Sequence, residues 1–194
     1  MVLPLRFWRR LYEKRKSEAL CVDIETTGWN GPISVLGAFR IHEGPIQVKQ
    51  LVRGRDLDSE NVRALFQDCR LLITFNGVNF DRKRIEREFP GCLPPGLPII
   101  DLFLVARRLG LKARLTTLEQ HFDILRNERR VWWRRKAVKL WRRYEAGGDQ
   151  SALEELLEYN RNDVVNLYPL AEALLALVPL RSDRERILKA LEGL

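Results

Sequence analysis

Ala19-Leu20-Cys21-Val22-Asp23-Ile24-Glu25-Thr26-Thr27-Gly28 is the stretch that decides how this chain is read. An apolar run leads directly into two acids, and the run predicts a buried strand over 19–25. Side chains two apart on a strand point the same way, so Asp23 and Glu25 share one face. Two like charges at the end of a hydrophobic strand repel, which raises at least one pKa unless cations lie between them. A divalent-metal site needs that arrangement.

Two further stretches supply partners. Leu71-Leu72-Ile73-Thr74-Phe75 predicts another strand, broken at Asn76-Gly77, a strong turn signal. Asp81 follows near the start of a helical segment, Arg82 to Phe89. Near the other end, the segment from Ser151 through Asn160 has apolar residues at helical spacing that continue through Val164 and Leu167. Tyr159 and Asp163 are four apart and so lie on one helix face. Each acid alone is better explained as an ordinary cap or a surface charge. As a set, Asp23, Glu25, Asp81 and Asp163 are hard oxygen ligands without His or Cys, which favours Mg²⁺ or Mn²⁺ over zinc. Two such ions can activate a water and stabilise the leaving oxygen of an in-line phosphoryl displacement.

The rest of the chain gives these motifs a frame. Ile33 to Ile41 and Ile46 to Val52 read as a hairpin around Glu43-Gly44-Pro45, and Asp58 or Ser59 can cap a helix through Phe66. Three strands, then a helix, then a strand follow in that order, which reads as an α/β chain. Pro90 to Pro98 is a connector, and Ile99-Ile100 leads into a helix near 101–109 that Asp101 caps. Thr116-Thr117-Leu118-Glu119 reads as a capping box, with Glu119 as its back half. A helix over 131–145 buries Trp133, Ala137, Leu140, Trp141 and Tyr144, and Gly147-Gly148 stops it. Pro169 should kink or divide the last long helix, and Ser182-Asp183-Arg184-Glu185 caps a short terminal one. The 194 residues suit one domain: a basic arm over 1–17, the catalytic fold over 18–178 and a terminal helix over 179–194. No apolar run approaches ~18 residues, so no membrane span is expected. The start lacks the layout of a signal peptide, and three unpaired cysteines, Cys21, Cys69 and Cys92, fit a reduced, cytoplasmic protein.

The net charge is +8 and the pI about 9.7. The excess is concentrated. Arg6 to Lys16 holds six basic residues against Glu13, and Arg126 to Arg143 holds nine against Glu128. On the helix over 131–145, Arg135, Lys139, Arg142 and Arg143 form one basic face. An acidic catalytic pocket needs basic flanks to draw in a polyanion, so beside the acid motifs this face is assigned to nucleic acid rather than to plain solvation.

The order Asp-x-Glu, Asn-x-x-x-Phe-Asp, Tyr-x-x-x-Asp resembles the three motifs of the DEDD 3′–5′ exonucleases, over roughly residues 18–178. The tyrosine (DEDDy) variant is indicated, because the histidine of the other variant would fall where this chain has Glu158. Thr74-Phe75-Asn76-Gly77 and Leu156 through Asp163 look most like the YprB-type branch. The resemblance implies a ribonuclease-H-like mixed five-stranded sheet flanked by helices. It implies 3′–5′ hydrolysis of single-stranded DNA or RNA with two divalent cations. Asp23, Glu25 and Asp163 would hold one ion, Asp23 and Asp81 the second, and Tyr159 would orient the attacking water. Thr26, Thr27 and Gly28 follow the metal strand, so their backbone N–H groups are candidates to hold the terminal nucleotide. Asn76 matches the motif asparagine and is equally a turn residue. Trp29, just after the first motif, is a candidate to stack on a base. A non-catalytic nucleic-acid-binding module or an endonuclease on the same fold stay open as alternatives.

Overall fold

A computed structural model of the chain describes residues 4–40, 47–112, 114–125 and 134–179. The expected turn at Glu43-Gly44-Pro45, Trp133 and the terminal helix lie outside the described residues, as does the side chain of Arg135. Helix α1 (Leu5–Arg15) is followed through a short 3-10 turn by β1 (Ala19–Thr26), β2 (Ile33–Arg40) and β3 (Val48–Val52). Then come α2 (Ser59–Phe66), β4 (Leu71–Thr74), α3 (Asp81–Glu88), β5 (Ile99–Asp101), α4 (Leu102–Arg108) and α5 (Leu115–His121). A helical hairpin, α6 (Arg134–Gly147) and α7 (Gln150–Ala176), completes the described chain.

The sheet has five strands in the order β3-β2-β1-β4-β5. β1 pairs antiparallel with β2 and parallel with β4, so the sheet is mixed, as the motif resemblance implies. Strand alternation sorts β1 between two layers. Leu20, Val22 and Ile24 pack with α2 and α3. Ala19 and Cys21 pack with α1, α4 and α7, and Asp23 and Glu25 follow them on that face. A third apolar cluster joins Val35 and Val52 to Ala137, Leu140 and Trp141 of α6 and to Leu153 and Leu156 of α7.

The parallel pairing of β1 with β4 covers only Ala19 to Cys21. Asp23 to Thr26 therefore project past the end of β4, paired on one side alone. A crevice at the carboxyl ends of parallel strands is where open α/β sheets place their ligands.

Asp58 caps α2 as read, its side chain accepting from the Asn61 amide at 2.8 Å. The Gly147-Gly148 stop also holds, with Gly148 at φ +66° and its N–H on the Tyr144 carbonyl. Three readings are corrected. Ile99-Ile100 does not merely lead into a helix; with Asp101 it is the fifth strand, three residues long and too short to show alternation. The capping box at Thr116 is not formed: α5 begins at Leu115, and Glu119 is buried against Asn166 of α7, whose Nδ2 donates to its Oε1 at 2.9 Å. Pro169 does not divide α7, which runs 27 residues through it. Burial of Leu167, Leu170, Ala171 and Leu174 around the proline outweighs the one hydrogen bond it removes.

The basic arm is helical and belongs to the core. Trp8 and Tyr12 are buried, and the Tyr12 hydroxyl donates to Glu172 of α7 at 2.8 Å. Replacing Trp8 with alanine should cost about 3 kcal/mol or more of stability, because a buried indole is removed from a packed cluster. Urea unfolding measures it, and an unchanged midpoint would show that α1 is peripheral.

Candidate active site

The four acids arrive from three elements. β1 places Asp23 and Glu25 on its α7 face, and α7 brings Asp163 to them across the sheet. One oxygen each of Asp23, Glu25 and Asp163 lie within 4.8 Å of one another. Asp81 opens α3 and reaches the same strand end: its Oδ1 accepts from the Ile24 amide at 3.1 Å. That amide lies beyond the last residue of β1 that β4 pairs. Asp81 thus satisfies a donor which the shorter neighbouring strand leaves without a partner.

Electrostatics mark the cluster. Burial first, then the charges of Asp23 and Asp81, push Glu25 well above the ordinary carboxylate range. Burial and the nearby Asp23 do the same to Asp81, against the pull of the Ile24 amide. Carboxylates this close at a half-buried strand end fit cations placed between them, and an all-oxygen donor set fits Mg²⁺ or Mn²⁺. The residues present therefore suit the implied metal.

Tyr159 lies one turn before Asp163 on α7, and its ring packs against the cluster around Leu153 and Trp141. The loop after β1 presents Trp29, which is 84% exposed. Its neighbours are less free than expected. The Thr27 N–H donates to the Pro32 carbonyl at 3.0 Å, and Thr26 is paired with Ile33 in the sheet. The Thr27 amide is thus committed to the protein. Gly28 has open space where a side chain would be. The position that demands glycine is Gly31, where a Cβ would lie 2.2 Å from the Thr27 hydroxyl. Asn76 is a turn residue at φ +64°, with its amide on Asp101 at 2.8 Å.

Of the basic face, Lys139 and Arg142 are exposed on α6. Arg143 is engaged within the protein, gripping Asp149, the N-cap of α7, at 2.6 and 3.0 Å. α6 also touches β1, the strand that carries Asp23 and Glu25.

Two residues, and a second role of a third, escaped the reading of the sequence. Arg84 of α3 is buried and donates to the carbonyls of Trp29 and Gly31, tying the exposed-tryptophan loop to the helix that carries Asp81. Asn160 donates to Asp23. Asp101 caps α4 as expected, and its carboxylate also accepts from the amides of Asn76 and Val78, fixing the turn that leads to Asp81. No local pattern announces contacts between residues this far apart. The arginine spacing on α3 resembles any solvated helix.

This arrangement is a mixed α/β sheet with carboxylates gathered at the free end of its central strand, where they could hold a metal ion. Residues 20–175 match the family described as the RNase H superfamily, and the chain belongs to that superfamily. No curated protein matches the sequence. Among solved structures, the chain is similar to one described as exonuclease X in complex with 5′ overhanging duplex DNA. The TM-score is 0.40 at 15% identity, covering 77% of this chain and 99% of that one.

The raised pKa values carry a sign. Glu25 and Asp81 hold protons more tightly when the metal-free protein is folded, so their contribution is complete below the ordinary carboxylate range and is lost as pH rises through the raised values. Asp58 and Asp149, whose pKa values are lowered, forfeit theirs only on further acidification. In chelator, the melting temperature should therefore rise as pH falls from about 8 to about 5, and Mn²⁺ should shrink that dependence. A flat metal-free profile would show that the acids are relaxed without a cation.

Proposed function

We propose that this chain is a nuclease, and specifically a metal-dependent 3′–5′ exonuclease of the DEDDy, YprB-type kind acting on single-stranded DNA or RNA. The observation that carries the reading is the meeting of Asp23, Glu25 and Asp163, from opposite ends of the chain, within 4.8 Å in a member of the RNase H superfamily. Direction and strandedness come from the motif resemblance.

Asp23, Glu25 and Asp163 would hold one Mg²⁺ or Mn²⁺, and Asp23 with Asp81 the other. Bound there, two such ions supply an activated water and neutralise charge on the leaving oxygen. The protein's own groups position and exclude. Tyr159, one turn from Asp163, would orient the attacking water through its hydroxyl. Trp29 would stack on a terminal base, since its indole is open to solvent at the lip of the site. Lys139 and Arg142 would guide the backbone by charge, without reading sequence.

The direct experiment is digestion of 5′-labelled single-stranded DNA and RNA with Mg²⁺, Mn²⁺ or chelator, beside an internally labelled circle. Stepwise shortening of the linear strands with the circle intact is expected. Cutting of the circle would make the enzyme an endonuclease, and no metal-dependent cleavage of any strand would leave a binding module.

Asp163→Asn keeps the shape of the ligand and removes its charge, so nearly all activity should be lost while the fold stays intact. Near-normal turnover in that variant would sink the metal assignment. Tyr159→Phe should lower turnover about 10²-fold, through misplacement of the nucleophile, with Mn²⁺ affinity unchanged. Calorimetry showing weakened Mn²⁺ binding would instead make the phenol a support for the ligands.

A further inference from the structure

Register places Asp23 on β1 opposite Gly37 on β2, and Gly37 opposite Gln50 on β3. These three positions form one row across the sheet on the face covered by α7, and the middle position has no side chain. Asn160 of α7 fills the gap. It is fully buried, and a Cβ on residue 37 would lie 2.1 Å from its Oδ1 and 2.8 Å from Val164. Glycine here serves close approach, because any other residue would push α7 away from the sheet.

From this slot Asn160 bridges its neighbours in the row. Its Oδ1 accepts from Gln50 Nε2 at 2.9 Å. Its Nδ2 donates to Asp23 Oδ2 at 3.0 Å and to the Asp23 carbonyl at 3.3 Å. The direction of the chain is fixed from both ends. Gln50 Nε2 also donates to the Leu157 carbonyl at 2.8 Å, which can only accept, so Gln50 turns its amide nitrogen inward. Asn160 must then present oxygen to Gln50 and nitrogen to Asp23, and an ionised carboxylate likewise only accepts.

We propose that Gln50 and Asn160 form a directed amide relay that orients Asp23 for metal binding, with Asn160 as a positioning residue and Gln50 as the group that sets its polarity. The proposal rests on the metal-site reading above. Asn160 occupies one carboxylate oxygen and fixes the plane of the group, so the approach of a cation to Asp23 is set before the cation arrives. Partners of this kind behind a ligand are worth about 10–100-fold in metal affinity.

Gln50→Glu discriminates the relay from general electrostatics. A carboxylate at position 50 cannot donate to Asn160 or to Leu157, so Asn160 would turn its nitrogen toward it and its oxygen toward Asp23. Added negative charge by itself would tighten cation binding; a reversed amide would weaken it. The measurement is Mn²⁺ titration by calorimetry on the whole chain, with melting curves to establish folding. Expected is about tenfold weaker Mn²⁺ binding in both Gln50→Glu and Asn160→Ala. Should Asn160→Ala fail to fold, Gln50→Glu carries the test, since Gln50 lies on the edge strand and is only partly buried. Equal or tighter Mn²⁺ binding in Gln50→Glu, with wild type binding normally, overturns the relay and leaves the metal site standing. Wild-type protein that takes up no Mn²⁺ overturns both.

Discussion

Four carboxylates crowd the end of one strand, and the cost of placing them there shapes much of the molecule around them. Burial and mutual repulsion push Glu25 and Asp81 well above the ordinary carboxylate range. Such a cluster persists only where the surrounding structure is held firmly enough to resist it. Here the holding is distributed. β1 is central and paired on both flanks at its start, α7 spans the sheet, and two of the acids have a specific neighbour behind them. The Ile24 amide serves Asp81, and the Asn160 amide serves Asp23.

Shared anchoring also governs the approach to the site. α3 delivers Asp81 with its first residue, and through Arg84 it anchors the loop that displays Trp29. Glu88 at its far end accepts from the Ile33 amide and pairs with Arg53. One short helix thus ties the acid Asp81 to the loop that displays Trp29. The turn before that helix is in turn fixed by Asp101, a buried carboxylate that also caps α4. Positions far apart in sequence become one mechanical unit through backbone groups that accept or donate without regard to side-chain identity.

The first four strands and the acid set were legible in the sequence because they rest on short-range rules. Alternation on β1 puts Asp23 beside Glu25, and helical spacing puts Tyr159 beside Asp163. The Asn76-Gly77 turn and the Asp58 cap are equally local. What stayed hidden depends on long-range coincidence. Nothing near Gly37 says that it must lack a side chain; that follows from Asn160, which is 123 positions later in the numbering. β5 is too short to show a pattern, and Glu119 matched a capping motif by composition while its real partner lay on another helix. Arg143 looked like part of a basic face because spacing cannot reveal that Asp149, just past the helix end, claims it.

The continuity of α7 through Pro169 has a consequence for how the protein can adapt. At ~1.5 Å per residue its 27 residues make a rod about 40 Å long, with Tyr159, Asn160 and Asp163 near its middle and Glu172 near its end. A rigid rod cannot shift one ligand without moving what is fastened elsewhere along it, including Tyr12 and Lys16 of the amino-terminal segment. On the proposed reading, accommodation of differently shaped strands would therefore fall to side chains at the rim: the exposed indole of Trp29 and the exposed cations of α6. Divergence within such a scaffold would be expected to rewrite those rims freely while leaving the rod's registration with the sheet untouched.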